Sequence, residues 1–310
     1  SSKKLSTQYF PEILRLLPFG PKSQESKRKA VDSSYQSLDN RVSESLSIFK
    51  GDIIHAYEDC AAHSFNQAKK LGIFRSYELP IAHWSTVRRL LAEEAERTPT
   101  WEPTLESTRE SEEKLIRKEE ELALANCISC PSEFVLQSIP AEIRKKTPCQ
   151  IAAFGSPPDI RNSSLLNASR QNEKLKLLFV GSMSQRKGLA DLFEAMKLIN
   201  SSQISLSILG QPSMPMGFYR SHCPDFKYLP PRSNEAVREV MLEHDILVLP
   251  SIVEGRALVQ QEALSCGLPL IVTKNAGGED LIEEEGTGFV VSIRKPDEIA
   301  EKIDWFLRNL

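Results

Sequence analysis

No stretch of the chain approaches the ~20 consecutive apolar residues that a membrane-spanning helix requires, so the sequence offers no candidate span. Positive charge is not in excess either. Lys and Arg number 39 against 42 Asp and Glu, and the net charge of -3 carries no nucleic-acid footprint beyond local patches, since a phosphate backbone demands a basic face. Cysteine is sparse: six thiols in 310 residues do not build a disulfide framework, and a reducing, cytoplasmic setting is expected. The first residues lack the basic start, apolar stretch and small-residue cleavage site of a secretory leader. Glycine is scarce at the beginning, where only Gly20 precedes Gly51.

What is present is a globular composition, 40% hydrophobic and 26% charged, long enough for two domains with cores of their own. In the second half, the apolar runs Lys176–Gly181, Ile204–Gly210, Asp245–Pro250, Leu268–Thr273 and Gly288–Ser292 predict buried strands. Between them, Gly188–Asn200, Asn234–His244 and Ala257–Cys266 predict helices, and Gly278–Glu285 a short acidic helix. Pro296 opens a last helix with Asp297 and Glu298 in its first turn. Continuously apolar strands separated by helices imply a doubly wound parallel sheet covered on both faces. Such sheets bind ligands at the carboxyl ends of their strands, where Gly181, Gly210 and Gly255 fall.

The first half is less regular. Asp52–Ala56, Arg75–Leu79, Asn126–Cys130 and Ile151–Phe154 predict strands, and Cys60–Leu71, Thr86–Arg97 and Glu112–Ala125 predict helices. The polar segment Arg161–Gln171 reads as a linker. It divides the chain into an N-terminal domain, residues 1–160, and a C-terminal domain, residues 161–310.

The chemistry concentrates in Ser251–Pro269, SIVEGRALVQQEALSCGLP. Glu254 falls in the loop after a strand and Glu262 in the following helix, eight positions on. The N–H groups of Ala257, Leu258 and Val259 lie at the helix start, where unsatisfied donors hold an anionic diphosphate. Gly255 allows close backbone approach. A carboxylate on either side then accepts hydrogen bonds from hydroxyls.

This segment resembles the Glu-x7-Glu motif of retaining glycosyltransferases of the GT-B fold, particularly family 4 (glycosyl transferases group 1). The likeness extends through FVGSMSQRKGL (179–189), ILG (208–210), DILVLPS (245–251), SCGLPLIVT (265–273) and the glycine pair within Asn275–Glu279. The resemblance implies two Rossmann-like doubly wound domains facing a cleft. It implies transfer of a hexose from a UDP- or GDP-sugar, with retention, to a glycan or lipid-linked acceptor, without metal or other cofactor. Glu254 would contact the donor hexose, Glu262 the ribose, and Lys187 would stabilise the diphosphate leaving group. Gly181 would be the close-approach glycine. Ser182 stands where the family commonly has Arg, and Arg186 would supply the second positive charge. Arg256 stands where an aromatic is usual; it either faces the diphosphate or an acidic sugar, or is a solvated arginine at a helix start.

The resemblance places the acceptor on the N-terminal domain, over Asp52–Trp84. The family histidine is absent there, and Tyr57, Glu58, Glu78 and His83 are the candidates. Because no glycine-rich loop precedes Gly51 and the chain stops at Leu310, a form lacking both ends of the family's pattern, with an incomplete N-terminal domain, is expected. A non-catalytic nucleotide-sugar binder or degenerate interaction protein is therefore the alternative function. Peripheral attachment at the inner membrane surface also stays open. Cys127 and Cys130 read as incidental thiols, and the charged run Arg88–Glu121 as a solvated amphipathic helix pair. Trp84 and Trp101 flank part of that run, forming either an acceptor surface or helix packing.

Overall fold

The computed structural model describes residues 24–48, 51–105, 110–158 and 174–309. The first part of the chain forms α1 (Gln24–Ser45), β1 (Ile53–Tyr57), α2 (Ala62–Lys70), β2 (Phe74–Glu78), α3 (Trp84–Arg97), α4 (Glu112–Leu124) and β3 (Cys127–Cys130). It continues through α5 (Glu133–Ser138), α6 (Ala141–Lys146) and β4 (Cys149–Ile151). The second part forms β5 (Leu175–Val180), α7 (Leu189–Ile199), β6 (Ile204–Leu209), α8 (Met216–His222), β7 (Lys227–Leu229) and α9 (Asn234–Leu242). It ends with β8 (Ile246–Leu249), α10 (Leu258–Ser265), β9 (Leu270–Thr273), β10 (Gly288–Val291) and α11 (Pro296–Asn309). Among the described residues, no helix is long and apolar enough to cross a membrane.

Two compact units result. One comprises Ser1–Pro80, Glu110–Cys130 and Ile139–Gln150; the other comprises Ile81–Arg109, Pro131–Ser138 and Ile151–Leu310. The linker Arg161–Gln171 and the expected boundary at 160–161 lie outside the described residues. Three described segments expected in the first domain, 81–105, 131–138 and 151–158, fall instead in the second unit. Trp101 shows why: it is 2% exposed, with ring centroids 4.9 to 5.8 Å from those of Phe193, Phe218, Tyr219 and His222. Aromatic burial of this kind is among the largest single contributions a side chain makes to a core. Trp101 therefore resolves as packing, and the charged run does not form one helix pair. Its α3 belongs to the second unit and its α4 to the first, and Glu94, Lys118 and Glu121 within it are buried.

The first unit holds a sheet of order β1-β2-β3-β4, with β1–β2 and β2–β3 parallel. α1 was not expected from the serine-rich start. It packs on α2, and its buried Asp39 accepts the N–H groups of His63 (2.7 Å) and Ser64 (2.9 Å) at the start of that helix. The acceptor thus satisfies donors that no residue of α2 can reach. Glu121 of α4 does similar work, taking the N–H of Asp59 at 2.9 Å and of Ala61 at 3.0 Å, and the Tyr77 hydroxyl at 3.2 Å. The expected strand Ile151–Phe154 is displaced to Cys149–Ile151; beyond it the Phe154 carbonyl bonds the Gln261 side chain instead of a strand.

The second unit is a six-stranded parallel sheet of order β10-β9-β8-β5-β6-β7. The chain starts in the middle, runs outward through β6 and β7, then returns to build the other half. This is the doubly wound arrangement the apolar runs imply. β8 and β9 are buried at every residue, as strands covered on both faces must be. The expected acidic helix Gly278–Glu285 shrinks to a single 3₁₀ turn, Glu279–Leu281. There the Glu283 N–H turns to the Thr287 hydroxyl at 2.7 Å, and Glu285 takes a φ of 63° that ends any helix.

Candidate functional site

Doubly wound sheets present ligands where the strand order reverses, outside the carboxyl ends of the strands. In the second unit that point lies between β5 and β8. The loop after β5 begins at Gly181. A Cβ on Gly210, at the end of β6, would lie 1.7 Å from the Gly181 carbonyl oxygen, so Gly210 is required for the two strand ends to approach. Ser182 faces Ser184, hydroxyl to hydroxyl, at 3.2 Å. A 3₁₀ turn, Gln185–Lys187, then enters α7 through Gly188. Gly188 has a φ of 73°, and a Cβ there would lie 2.0 Å from the Pro250 carbonyl oxygen. Only glycine satisfies both conditions.

That turn delivers two cations to the loop after β8. Arg186 Nη1 lies 2.6 Å, and Lys187 Nζ 2.5 Å, from the same oxygen, Oε1 of Glu254. Arg186 Nη1 also donates to the Val253 carbonyl at 3.2 Å, and its own carbonyl accepts the Ile252 N–H at 2.9 Å. From the other side, the Glu254 N–H donates to the Asn275 carbonyl at 3.1 Å, and Asn275 Nδ2 donates to the Ile252 carbonyl at 2.7 Å. The carboxylate is thus fixed by backbone on both flanks. Burial holds the Lys187 ammonium below its ordinary value; Glu254 opposes this and Arg186 adds to it.

α10 begins beside this cluster, with Ala257 at its N-cap and no side-chain cap. One of the three donors expected to be free is not: the Ala257 N–H donates to the Ala276 carbonyl at 3.0 Å. No described residue accepts from the N–H of Leu258 or Val259. These two donors, at the positive end of the helix, suit an anion. Glu262 sits half-exposed in the second turn, and no described residue forms an ion pair with it.

Of the two expected descriptions of Arg256, the structure overturns the solvated one. It is 6% exposed, so it is not solvated. Its guanidinium clasps Asp280 through both terminal nitrogens, at 2.6 and 2.9 Å, and donates to the Gly277 carbonyl at 3.1 Å. The hydrogen bonds from Arg256 hold the Asp280 carboxyl below the usual carboxylate range. Its role is to join the loop after β8 to the turn after β9. Gly255 is held likewise: its carbonyl accepts from the Ser132 hydroxyl at 2.6 Å.

Sequence reasoning missed the residues that hold these loops. Gln260 donates through Nε2 to the Ala257 and Ala276 carbonyls, at 3.2 and 2.9 Å. Thr273 Oγ1 donates to the Ser251 carbonyl at 2.6 Å. Gln185 and Ser132 belong to the same group. Asn275, two positions before Gly277 of the glycine pair, was the one with a visible signal.

The remaining candidates divide between the units. Tyr57 and Glu58 line a cavity of about 570 Å³ in the first unit, walled by Tyr35, Leu38, His55 and Pro80 among others. Tyr57 is 53% exposed, whereas the Glu58 side chain is only 6% exposed. Glu58 Oε2 accepts from Lys118 Nζ at 3.3 Å, and Oε1 has no partner among the described residues. Burial pushes the Glu58 carboxyl up to about 7, against the pull of Lys118. Glu78 is buried on β2, with His55 Nε2 3.8 Å from its carboxylate. His83 belongs to the second unit, where it caps α3: Nδ1 accepts the Ser85 N–H at 3.3 Å. All six cysteines are thiols. Among the described residues no group of three His, Cys, Asp or Glu forms a metal-binding cluster.

Comparison with known proteins shows what this part of the chain is similar to. Residues 166–309 match the family Glycosyl transferases group 1. A glycosyltransferase of Methanocaldococcus jannaschii, itself uncharacterised, is 28% identical over 150 residues, 45% of this chain and 37% of that protein. The amylovoran biosynthesis glycosyltransferase AmsK of Erwinia amylovora is 23% identical over 299 residues, 90% of this chain and 67% of that protein. HepE of Anabaena, solved in complex with UDP, superposes with a TM-score of 0.65 at 15% identity, covering 88% of this chain and 73% of that one. The first three curated relatives are matched over only 37%, 37% and 38% of their length. The fold is the Rossmann-like one of GT-B glycosyltransferases, and the match to Glycosyl transferases group 1 spans residues 166–309, the part of the chain that contains the second unit's sheet.

Proposed function

We propose that this chain takes part in sugar transfer, moving a hexose from a nucleotide diphosphate sugar to a glycan or lipid-linked acceptor with retention of configuration. The observation that carries the reading is the convergence of Arg186 and Lys187 on Glu254 at the switch point, beside the free N–H groups of Leu258 and Val259. A diphosphate seated on those donors would draw the two cations to its oxygens. Glu254 would then be released to accept from a hexose hydroxyl, and Glu262 would accept from the ribose. The cations would stabilise charge as the phosphate–sugar bond breaks, a task preorganised groups do well in a partly dry site. The absence of any need for metal is part of the proposal.

UDP in the HepE complex makes uridine the first base to try, with guanosine beside it. The name of AmsK points to polysaccharide biosynthesis as the setting. The apolar-walled cavity at Tyr57 and Glu58 suits the acceptor, with Glu78 next to it on the following strand. A cytoplasmic location, with or without attachment at the membrane surface, fits a lipid-linked acceptor.

Calorimetric titration with UDP and with GDP, with and without magnesium, tests the reading. Metal-independent binding of one of them, followed by sugar transfer from its hexose conjugate, is the expected outcome. Binding without transfer would favour the alternative, a non-catalytic nucleotide-sugar binder. Binding of neither would sink both.

A further inference from the structure

The two cations of the site sit on a turn of three residues, and three residues do not fix themselves. Gln185, the first of them, is 0% exposed and every one of its polar atoms described here is engaged. Its N–H donates to the Thr104 hydroxyl at 3.0 Å. Its side-chain Nε2 bridges Glu94 Oε2 and Asp191 Oδ2, each at 2.8 Å, and its Oε1 accepts the Ala190 N–H at 2.8 Å. The partners Glu94 and Thr104 come from far earlier in the chain.

Those partners are themselves held. Glu94, also 0% exposed, accepts from both Arg97 and Arg294, and Arg97 continues to Asp191 at 2.8 Å. Thr104 Oγ1 donates to the Trp101 carbonyl at 2.7 Å, so its one hydroxyl proton is spent and its lone pair is directed at Gln185. Trp101 anchors the segment in the core under α7 and α8. A buried polar network with all members satisfied specifies one geometry, because any other arrangement strands a donor.

We propose that the segment Trp84–Leu105 is a working part of the nucleotide-sugar site, with Glu94 and Thr104 as positioning residues that set Arg186 and Lys187 through Gln185. This rests on the reading that those two cations meet the donor diphosphate. The role is distinct from catalysis: neither residue lines the anion site. Loss of the Thr104 hydroxyl would leave the Gln185 N–H buried without an acceptor, and the turn would shift to find one. The penalty falls on the group the turn serves, the terminal phosphate.

The test compares a nucleoside diphosphate with its monophosphate, using whichever of UDP/UMP and GDP/GMP binds the wild-type protein. Thr104→Val keeps the shape and removes the hydroxyl. It is expected to lose roughly tenfold of the diphosphate's advantage over the monophosphate, with monophosphate affinity unchanged. Thr104→Ser restores the acceptor and is expected to stay within about twofold of wild type. Glu94→Gln should act in the same direction as Thr104→Val; should it fail to fold, the Val and Ser pair decides alone. Equal losses for both nucleotides in Thr104→Val, or no loss, overturn the positioning role. A wild-type protein that binds no nucleotide overturns the underlying reading instead, so the two failures are distinguishable.

Discussion

Lys187 and Glu254 meet at 2.5 Å with both side chains largely buried, and the pair is the electrostatic centre of the second unit's switch point. A buried pair contributes little net stability, because desolvation of both charges offsets their attraction. Removing one member is different, since it strands the other. Glu254→Gln leaves Lys187 and Arg186 facing each other without a counter-charge. We expect it to cost roughly 3 kcal/mol in urea unfolding. Nucleotide diphosphate affinity should hold or rise, because the anion no longer competes with a carboxylate. A fall in affinity together with unchanged stability would contradict this account.

Glu262 presents the opposite case. It is half-exposed and unpaired among the described residues, so little of the fold depends on it. Glu262→Ala should leave the unfolding midpoint within experimental scatter while weakening nucleotide binding roughly tenfold to a hundredfold, the worth of a hydrogen bond to a charged group. Calorimetry with UDP and GDP measures it directly.

Arg256 separates structure from ligand contact. Its fork geometry on Asp280 is one that lysine cannot reproduce. Arg256→Lys is expected to lower stability by about 1–2 kcal/mol, with nucleotide affinity reduced by less than about threefold. A larger affinity loss at unchanged stability would restore Arg256 as a diphosphate ligand.

The first unit should show its own dependence on pH. The Glu58 carboxyl lies near 7, against an ordinary value of 4.5, because it is buried. Lys118 opposes that shift, and the neighbouring carboxylates Asp59 and Glu110 reinforce it. The folded state therefore binds more protons than the unfolded state between those two values. The contribution of Glu58 is fully present below about 4.5 and is lost as pH rises through about 7. Glu121 is pushed up to about 7 as well, chiefly by burial, and acts in the same direction. Glu58→Gln should flatten the fall of stability with pH, by an amount on the order of 3 kcal/mol across the window. His244, held low by burial, changes in the same range with the opposite sign. The quantity to measure is thus the difference between variant and wild type at each pH. Parallel profiles for the two would refute the assignment.

Five of the six strands of the second unit were readable as short apolar runs; β7, a three-residue strand that begins with an exposed Lys227, was not expected. Ile204–Leu209 and Ile246–Leu249 differ from expectation only at their ends. Legibility failed where polar residues do the holding. α1 carries Val31, Tyr35, Leu38 and Val42 at helical spacing, a usable signal submerged among serines. Glu94 and Glu121 read as solvated charges because the partners that bury them are distant in sequence: Arg294 and Gln185 join the local Arg97 on Glu94, and the Tyr77 hydroxyl meets Glu121. The candidate site residues Glu254, Lys187 and Glu262 were named from their pattern. Asp280 as the partner of Arg256, and Ala276 as the acceptor for Ala257, depend on how the turn after β9 folds back.

The second unit is discontinuous along the chain, and this bears on how the protein can be made and cut. Ribosomes deliver α3 and Trp101 well before Phe193 and Tyr219, the rings that enclose that indole. Until α7 and α8 emerge, the indole has nowhere to go but water or a chaperone. Expression from the start of β5 onward would yield a sheet with every strand present but a missing plug beneath two helices. Two polar partners of Gln185, Glu94 and Thr104, would also be gone. Proteolytic trimming or gene fusion at the junction before β5 would therefore divide a folding unit, although by strand order alone the place looks like a natural seam.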